Sequence, residues 1–155
     1  MKKVLLISLA LVLALAAMAG CGKKVLTDAD GNRVEMQGDT ITVKGEDGDA
    51  EFSVGGNLSW PNDKMGGLPE LGGNIIGVID TPQGTSVTYE GISKSDYQSY
   101  VSNLKAQGYE AVTEMDMEGT ILFMGQKGDN AVSIQLHLDS GSDKGSCIII
   151  YGENL

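Results

Sequence analysis

The stretch SKSDYQSYVSNLKAQGY, residues 93–109, decides the fold because it carries the clearest helical pattern in the chain. Ser93 and Asp96 form a variant of the capping box that begins helices, and Gly108 is well placed to end one. Apolar residues recur at spacings of three and four, which places them on one helical stripe: Tyr97, Tyr100, Val101 and Leu104. Because the tyrosines share that stripe with aliphatic residues, the pattern favours core packing over a stacking platform.

Strand-like runs lie on both sides of this helix. Ile75–Ile79 and Val87–Tyr89 precede it and flank the turn sequence DTPQGT. Four more runs follow it, separated by hairpin-sized breaks: Tyr109–Met115, Thr120–Gly125, Ala131–Leu138 and Ser146–Tyr151. The order β-β-α-β-β-β-β predicts an α+β fold, an antiparallel sheet with one helix packed on one face.

Short alternating runs occur upstream as well: Val34 and Met36, Ile41 and Val43, then Ala50, Phe52 and Val54. They predict a small N-terminal β-meander of three strands. With few large side chains it cannot stand alone, so it must lean on the main domain, pair with a partner or stay mobile, and we favour partial order. We therefore divide the chain into a signal peptide (1–20), a tether with the meander (21–57), a Gly/Pro-rich anchored loop (58–74) and the α+β domain (75–155).

Several predicted strands are apolar on both faces, among them Ile121–Met124 and Ile148–Ile150. Such strands need cover on the side that the helix leaves open. The meander and the loop GGNLSWPNDKMGGLPELGGN (55–74) are the nearest candidates, and a partner, lipid or apolar ligand is the alternative. In that loop Trp60, Leu68 and Leu71 are candidate ligand or lid contacts, which either pin the loop to the domain or, for Trp60, mark a recognition surface.

Charge and composition restrict the partners. The chain has 155 residues and a formal net charge of -10, which becomes -12 when Lys2 and Lys3 leave with residues 1–20. An acidic chain of this kind disfavours nucleic acid and anionic lipid, although acidic surfaces most often serve solubility alone.

Residues for catalysis are sparse. The single histidine, His137, sits at an outward position of its strand without a Ser or Cys nucleophile motif, and Cys147 is expected to be a small core residue. We predict no catalytic residue, no metal and no cofactor. Two acidic loops, at Asp28/Asp30 and Asp139/Asp143, are expected to be turns, and weak calcium binding at either is left open.

The N-terminus shows a basic start, an apolar run and small residues, as secretory signals do. Within LAAMAGCGKK (15–24), cleavage after Ala19 would release a soluble protein, whereas cleavage before Cys21 would leave a lipidated cysteine. The lipobox Met18, Ala19, Gly20 and Cys21 resembles that of bacterial lipoproteins, with Met18 in place of the usual Leu. The resemblance implies a diacylglycerol on Cys21, with Lys23 and Lys24 next to the lipid headgroups.

The sequence from LSWPNDKMGGLPEL through SKSDYQSYVSNLKAQGY resembles a domain of unknown function on lipoproteins of Gram-positive, often gut-dwelling, bacteria. Its marks are a Trp-Pro, an LPxL and a helix ending in Gly-Tyr, over residues 58–151. The resemblance implies an extracytoplasmic domain held at the cell membrane and brings no activity with it.

We therefore expect a non-enzymatic, envelope-anchored lipoprotein whose domain binds an envelope protein, a cell-wall component or a small ligand. An inhibitor or assembly factor that docks on an envelope enzyme or secretion component is the alternative. A hydrolase that uses carboxylates is a lower alternative, since no pair among the 21 acidic residues stands out.

Overall fold

A computed structural model describes residues 24–27, 33–45, 48–55 and 58–153. These residues form one helix, α1 (Lys94–Ala106), and ten strands. The strands are β1 (Lys24–Thr27), β2 (Arg33–Gln37), β3 (Thr40–Gly45), β4 (Gly48–Val54), β5 (Asn74–Thr81), β6 (Gly84–Ser93), β7 (Glu110–Met117), β8 (Thr120–Lys127), β9 (Asn130–Leu138) and β10 (Lys144–Glu153).

The predicted helix is confirmed, and its ends have the expected chemistry. Ser93 is the N-cap, and its hydroxyl accepts a 3.1 Å hydrogen bond from the backbone N–H of Asp96. At the other end Gly108 adopts a φ of 94°, and the N–H of Tyr109 donates to the carbonyl of Leu104 at 3.1 Å. This arrangement satisfies carbonyls at the C-terminus that lack helical partners. The four apolar residues of the predicted stripe are all buried.

The prediction of an α+β fold is wrong, because the described residues form a mostly β fold with a single short helix. The upstream strands do not make a separate meander. β4 pairs with β5, for instance Phe52 opposite Ile79, so β1–β4 continue the same antiparallel sheet. Unpaired strand edges carry backbone groups that favour such an extension, and β1–β4 accordingly continue the sheet beyond β5.

Strands that are neighbours in the sheet are also consecutive along the chain, except for β6 and β10. The order is β1-β2-β3-β4-β5-β6-β10-β9-β8-β7, so β10 inserts beside β6 and β7 lies at the far edge. The connection from β6 to β7 therefore has to cross three strands. Helix α1 makes that crossing on one face, where the hydroxyl of Tyr97 lies 3.4 Å from the carbonyl of Ile134 on β9.

The hydrophobic core lies between this face and α1, which we call the helix side of the sheet. Its centre consists of side chains with no more than 1% exposure: Met65, Val87, Tyr89, Leu104, Phe123, Val132, Ile134, Leu136, Cys147 and Ile149. The loop 58–73 also covers the helix side. The hydroxyl of Tyr100 donates to the carbonyl of Pro69 at 2.8 Å, which ties the helix to the loop.

The expectation that the loop and the meander cover the second face is therefore wrong. The loop adds to the layer that α1 already forms, and the upstream strands lengthen the sheet instead of folding over it. Among the described residues, strands β5, β6 and β8–β10 thus have one face packed beneath α1 and the loop, and the opposite face of the sheet carries exposed apolar side chains.

Candidate functional site

Several predicted site residues lie outside the part of the chain that the structure describes: Met18, Ala19, Gly20, Cys21 and Lys23, together with Asp28 and Asp30. Lys24 is the first residue of β1, the strand at one edge of the sheet. The lipid anchor and its surroundings therefore remain predictions from the sequence.

Trp60, Leu68 and Leu71 lie together in the helix-side core. Trp60 is 5% exposed and Leu68 is 4% exposed, while Leu71 is partly buried against the same cluster. The ring centroid of Trp60 lies 6.2 Å from that of Tyr89, at a tilted angle that aromatic pairs commonly adopt. The indole of Trp60 is thus part of the core and not of the outer surface.

The other residues considered for chemistry lie apart from one another. Cys147 is a buried free cysteine, as expected, and burial raises the pKa of its thiol to about 12. His137 lies on the opposite face of the sheet, with its Nδ1 2.9 Å from the Thr120 hydroxyl oxygen. Asp139 and Asp143 belong to the turn between β9 and β10, where the backbone N–H of Ser142 donates to the Asp139 carbonyl. No group of three metal-binding side chains occurs among the described residues.

The surface opposite α1 exposes apolar side chains from several strands of the described chain. Six of its apolar side chains, Val54, Ile79, Met115, Met117, Ile148 and Ile150, have exposed fractions between 36% and 54%. Strand registers add further members from β2, β3, β4 and β8: Val34, Met36, Ile41, Val43, Phe52, Leu122 and Met124. We call these residues, with the serines, threonines and glutamine between them, the helix-free face.

The centre of the helix-free face carries no formal charge. The registers align one row across nine strands: Met36, Ile41, Phe52, Ile79, Ser86, Ile150, Ser133, Met124 and Thr113. A second row contains Thr88, Ile148, Gln135, Leu122 and Met115. An uncharged surface of this length contrasts with the 21 acidic residues of the chain.

On β2, β3, β4 and the end of β5, the helix side carries polar side chains, in contrast to the apolar helix-free face of the same strands. There the registers align Glu35, Thr42, Glu51 and Asp80, and Arg33 pairs with Glu35 through an Nε–Oε1 distance of 3.0 Å. The upstream strands therefore turn their polar side chains toward the side that α1 covers farther along the sheet. Their apolar side chains lie on the helix-free face.

A polar cleft lies where β5, β6 and β10 meet the loop 58–73. It has a volume of about 650 Å³ and is lined by Lys64, Asp80, Thr85, Tyr151 and other polar residues. Lys64 Nζ lies 2.8 Å from Asp80 Oδ2, and the Thr85 hydroxyl donates to Asp80 Oδ1 at 2.6 Å. Partial burial by itself raises the pKa of Asp80, but these hydrogen bonds and the Lys64 charge outweigh it and lower the pKa below its ordinary value. This is the opposite of the raised pKa that a general acid needs.

The sequence predicts the helix-free face only in part and does not predict the polar cleft. Alternation in β2, β3 and β4 showed which side chains share a face, but not that this face lies opposite α1. The contact between Lys64 and Asp80 joins residues 16 positions apart across a loop and a strand, and no local pattern marks it.

No protein-family model, curated protein or solved structure matches the chain significantly. In the described ranges, no helix has both the length and the apolar character needed to cross a membrane.

Proposed function

We propose that the chain is an envelope-anchored lipoprotein whose β domain is a non-enzymatic interaction module. In this proposal a diacylglycerol on Cys21 holds the domain at the extracytoplasmic face of a bacterial cell membrane. The observation that supports an interaction role is the helix-free face, which exposes aliphatic and methionine side chains across most of the sheet. Exposed apolar patches of this size usually mark surfaces that bind other molecules.

The shape of this face favours a macromolecular partner over a small ligand. Small-molecule sites are concave and enclose most of the ligand surface, whereas the helix-free face is one side of a sheet. The cleft at Lys64 and Asp80 is concave but polar, and these two charged side chains already pair with each other. We therefore assign binding to the helix-free face.

The proposed anchor would place the upstream strands close to the membrane. Cys21 lies three positions before Lys24, where β1 begins, and three residues of extended chain reach at most roughly 10 Å. Two acyl chains anchor a protein stably, and Lys23 and Lys24 would contact the headgroups. The acidic character of the remaining chain would keep its charged surfaces away from anionic lipid.

The anchor is tested by the intact mass of the native mature N-terminus, measured with and without an inhibitor of the lipoprotein signal peptidase. We expect a chain that begins at Cys21 and carries a diacylglyceryl mass, and we expect the inhibitor to leave residues 1–20 attached. A mature chain that begins at Gly20 without lipid would contradict the anchor and define a secreted protein.

A further inference from the structure

We propose that the helix-free face is the interface of a homodimer in which two copies pack sheet against sheet. The proposal rests on the interaction role assigned to this face above, and it names the partner as a second copy of this chain. Three properties of the face lead to it: its area, its lack of charge and the absence of a second layer over the upstream strands in the described chain.

The apolar area is sufficient for a stable pair. The exposed fractions of the six most exposed apolar side chains correspond to roughly 500 Å², at the upper end of the largest patch found on typical monomers. Met36 is buried, but the other apolar neighbours on β2, β3, β4 and β8 are half-buried and extend this surface toward the roughly 800 Å² of total area that one partner contributes to an interface of standard size. Serine, threonine and glutamine side chains between the apolar ones add to this area.

The distribution of charged side chains favours a second copy of the chain over an anionic lipid surface as the partner of the helix-free face. The chain carries a net charge of -10, so two copies repel each other wherever their acidic surfaces meet. The two uncharged rows of the helix-free face are where that repulsion is weakest, because Glu35, Glu51 and Asp80 all lie on the other side of the sheet. Binding to anionic lipid through a surface requires a cluster of basic side chains, and neither row contains one between β2 and β7. Lys24, opposite Met36 on the edge strand β1, is the single basic residue that continues the first row.

The upstream strands also need a second layer. On β2, β3 and β4 the helix side is polar, so the apolar residues Val34, Ile41, Val43 and Phe52 have only the helix-free face on which to be buried. Two antiparallel sheets that pack face to face form a sandwich about 10 Å thick, with interdigitated side chains. In a symmetric pair Ile148 and Ile150 would form a ridge, and the small residues on the flanking strands, Ser86 and Ser133, would leave room for the ridge of the partner.

The test is equilibrium sedimentation of the chain from residue 21 to residue 155 with Cys21→Ser, which removes both the lipid and any disulfide at that position. We expect twice the chain mass at micromolar concentration. Ile150→Lys places a charge at the centre of the face in both copies, and we expect it to raise the dissociation constant by about 100-fold or more. A lysine is chosen because it reduces the net negative charge, so weaker association cannot result from greater overall repulsion.

Val25→Lys is the matched control. Val25 is 40% exposed on β1, opposite Glu35 on the helix side, so the same new charge lies away from the proposed interface. We expect this variant to remain dimeric. Ile148→Lys is the second test variant, and circular dichroism with thermal melts verifies that each variant is folded.

The outcomes separate the dimer from the interaction role. Dimerisation that Ile150→Lys and Ile148→Lys abolish and Val25→Lys retains supports the proposal. A monomeric chain that floats with phosphatidylcholine vesicles, and no longer does so as Ile150→Lys, overturns the dimer while the face keeps a binding role. A monomer that does not bind vesicles, or a dimer that neither substitution weakens, overturns the dimer at this face. The lipid anchor is then still tested separately by the mass of the mature N-terminus.

Discussion

Two neighbouring isoleucines provide the sharpest test of a sheet with one packed face. Ile149 and Ile150 are consecutive residues of β10 with identical side chains on opposite faces. Ile149 is fully buried between Val87 and Ile134, whereas Ile150 is 36% exposed on the helix-free face. Replacing each by alanine removes the same atoms from the same strand, so differences in strand propensity and unfolded-state effects largely cancel.

The expected losses of unfolding free energy differ severalfold. Ile149→Ala leaves a cavity in an enclosed core, and such changes cost 2–5 kcal/mol, so we expect about 4 kcal/mol at this fully buried site. Ile150→Ala loses only the burial of a partly shielded side chain, and its space opens to solvent without a cavity. We expect about 1 kcal/mol for this variant in the monomer.

Urea unfolding with linear extrapolation measures both values, at a protein concentration low enough to keep the chain monomeric. Equal slopes of unfolding free energy against urea concentration would show that both variants expose the same surface area on unfolding. Similar losses for the two variants would refute the reasoning, because they would mean that both faces are covered in the monomer. At higher concentration, dimerisation should make Ile150→Ala more costly, since dissociation is then coupled to unfolding.

Three further predictions concern the loop, the buried thiol and the polar cleft. Gly66→Ala should cost more unfolding free energy than Gly67→Ala by about 1–3 kcal/mol in urea titrations, because both have positive φ but only at Gly66 would a Cβ overlap a tyrosine side chain. Cys147 should resist maleimide in the folded chain and react in urea. Because burial raises its pKa to about 12 while the unfolded thiol ionises near 9, stability should fall as pH rises through this interval, and less so in Cys147→Ala. Asp80→Asn should reduce the loss of thermal stability on acidification, since a carboxylate with a lowered folded pKa contributes stability that disappears as pH falls through that pKa. If thermal stability falls with acidification equally in Asp80→Asn and in the unchanged chain, the contact with Lys64 contributes nothing measurable to stability.

The local elements could be predicted because their signals are local. Ser93, Asp96 and Gly108 specify the ends of α1 through hydrogen bonds that reach only a few residues along the chain. The strands after the helix follow from alternation and from turn sequences, as in Ala131–Leu138, which forms most of β9. The upstream alternation likewise predicts β2, β3 and β4, whereas it does not predict β1.

The candidate site could be predicted only in part. Apolar residues on both faces of Ile121–Met124 and Ile148–Ile150 indicated that a second face needed cover. Attributing that cover to the loop failed because Trp60 and Leu68 gain more by entering the core beside Tyr89. Sequence alternation alone cannot show on which side of a sheet a distant loop will lie.

The sequence by itself determined the helix, most strands, the turns between them and the acidic character of the chain, since these depend on near neighbours and on composition. Only the tertiary structure decided that β4 joins β5, that β10 inserts beside β6, and that the upstream strands present their apolar side chains opposite α1. The physical reason is that strand pairing depends on backbone hydrogen bonds, which every non-proline residue can form, so partner choice depends on how the whole sheet buries its side chains.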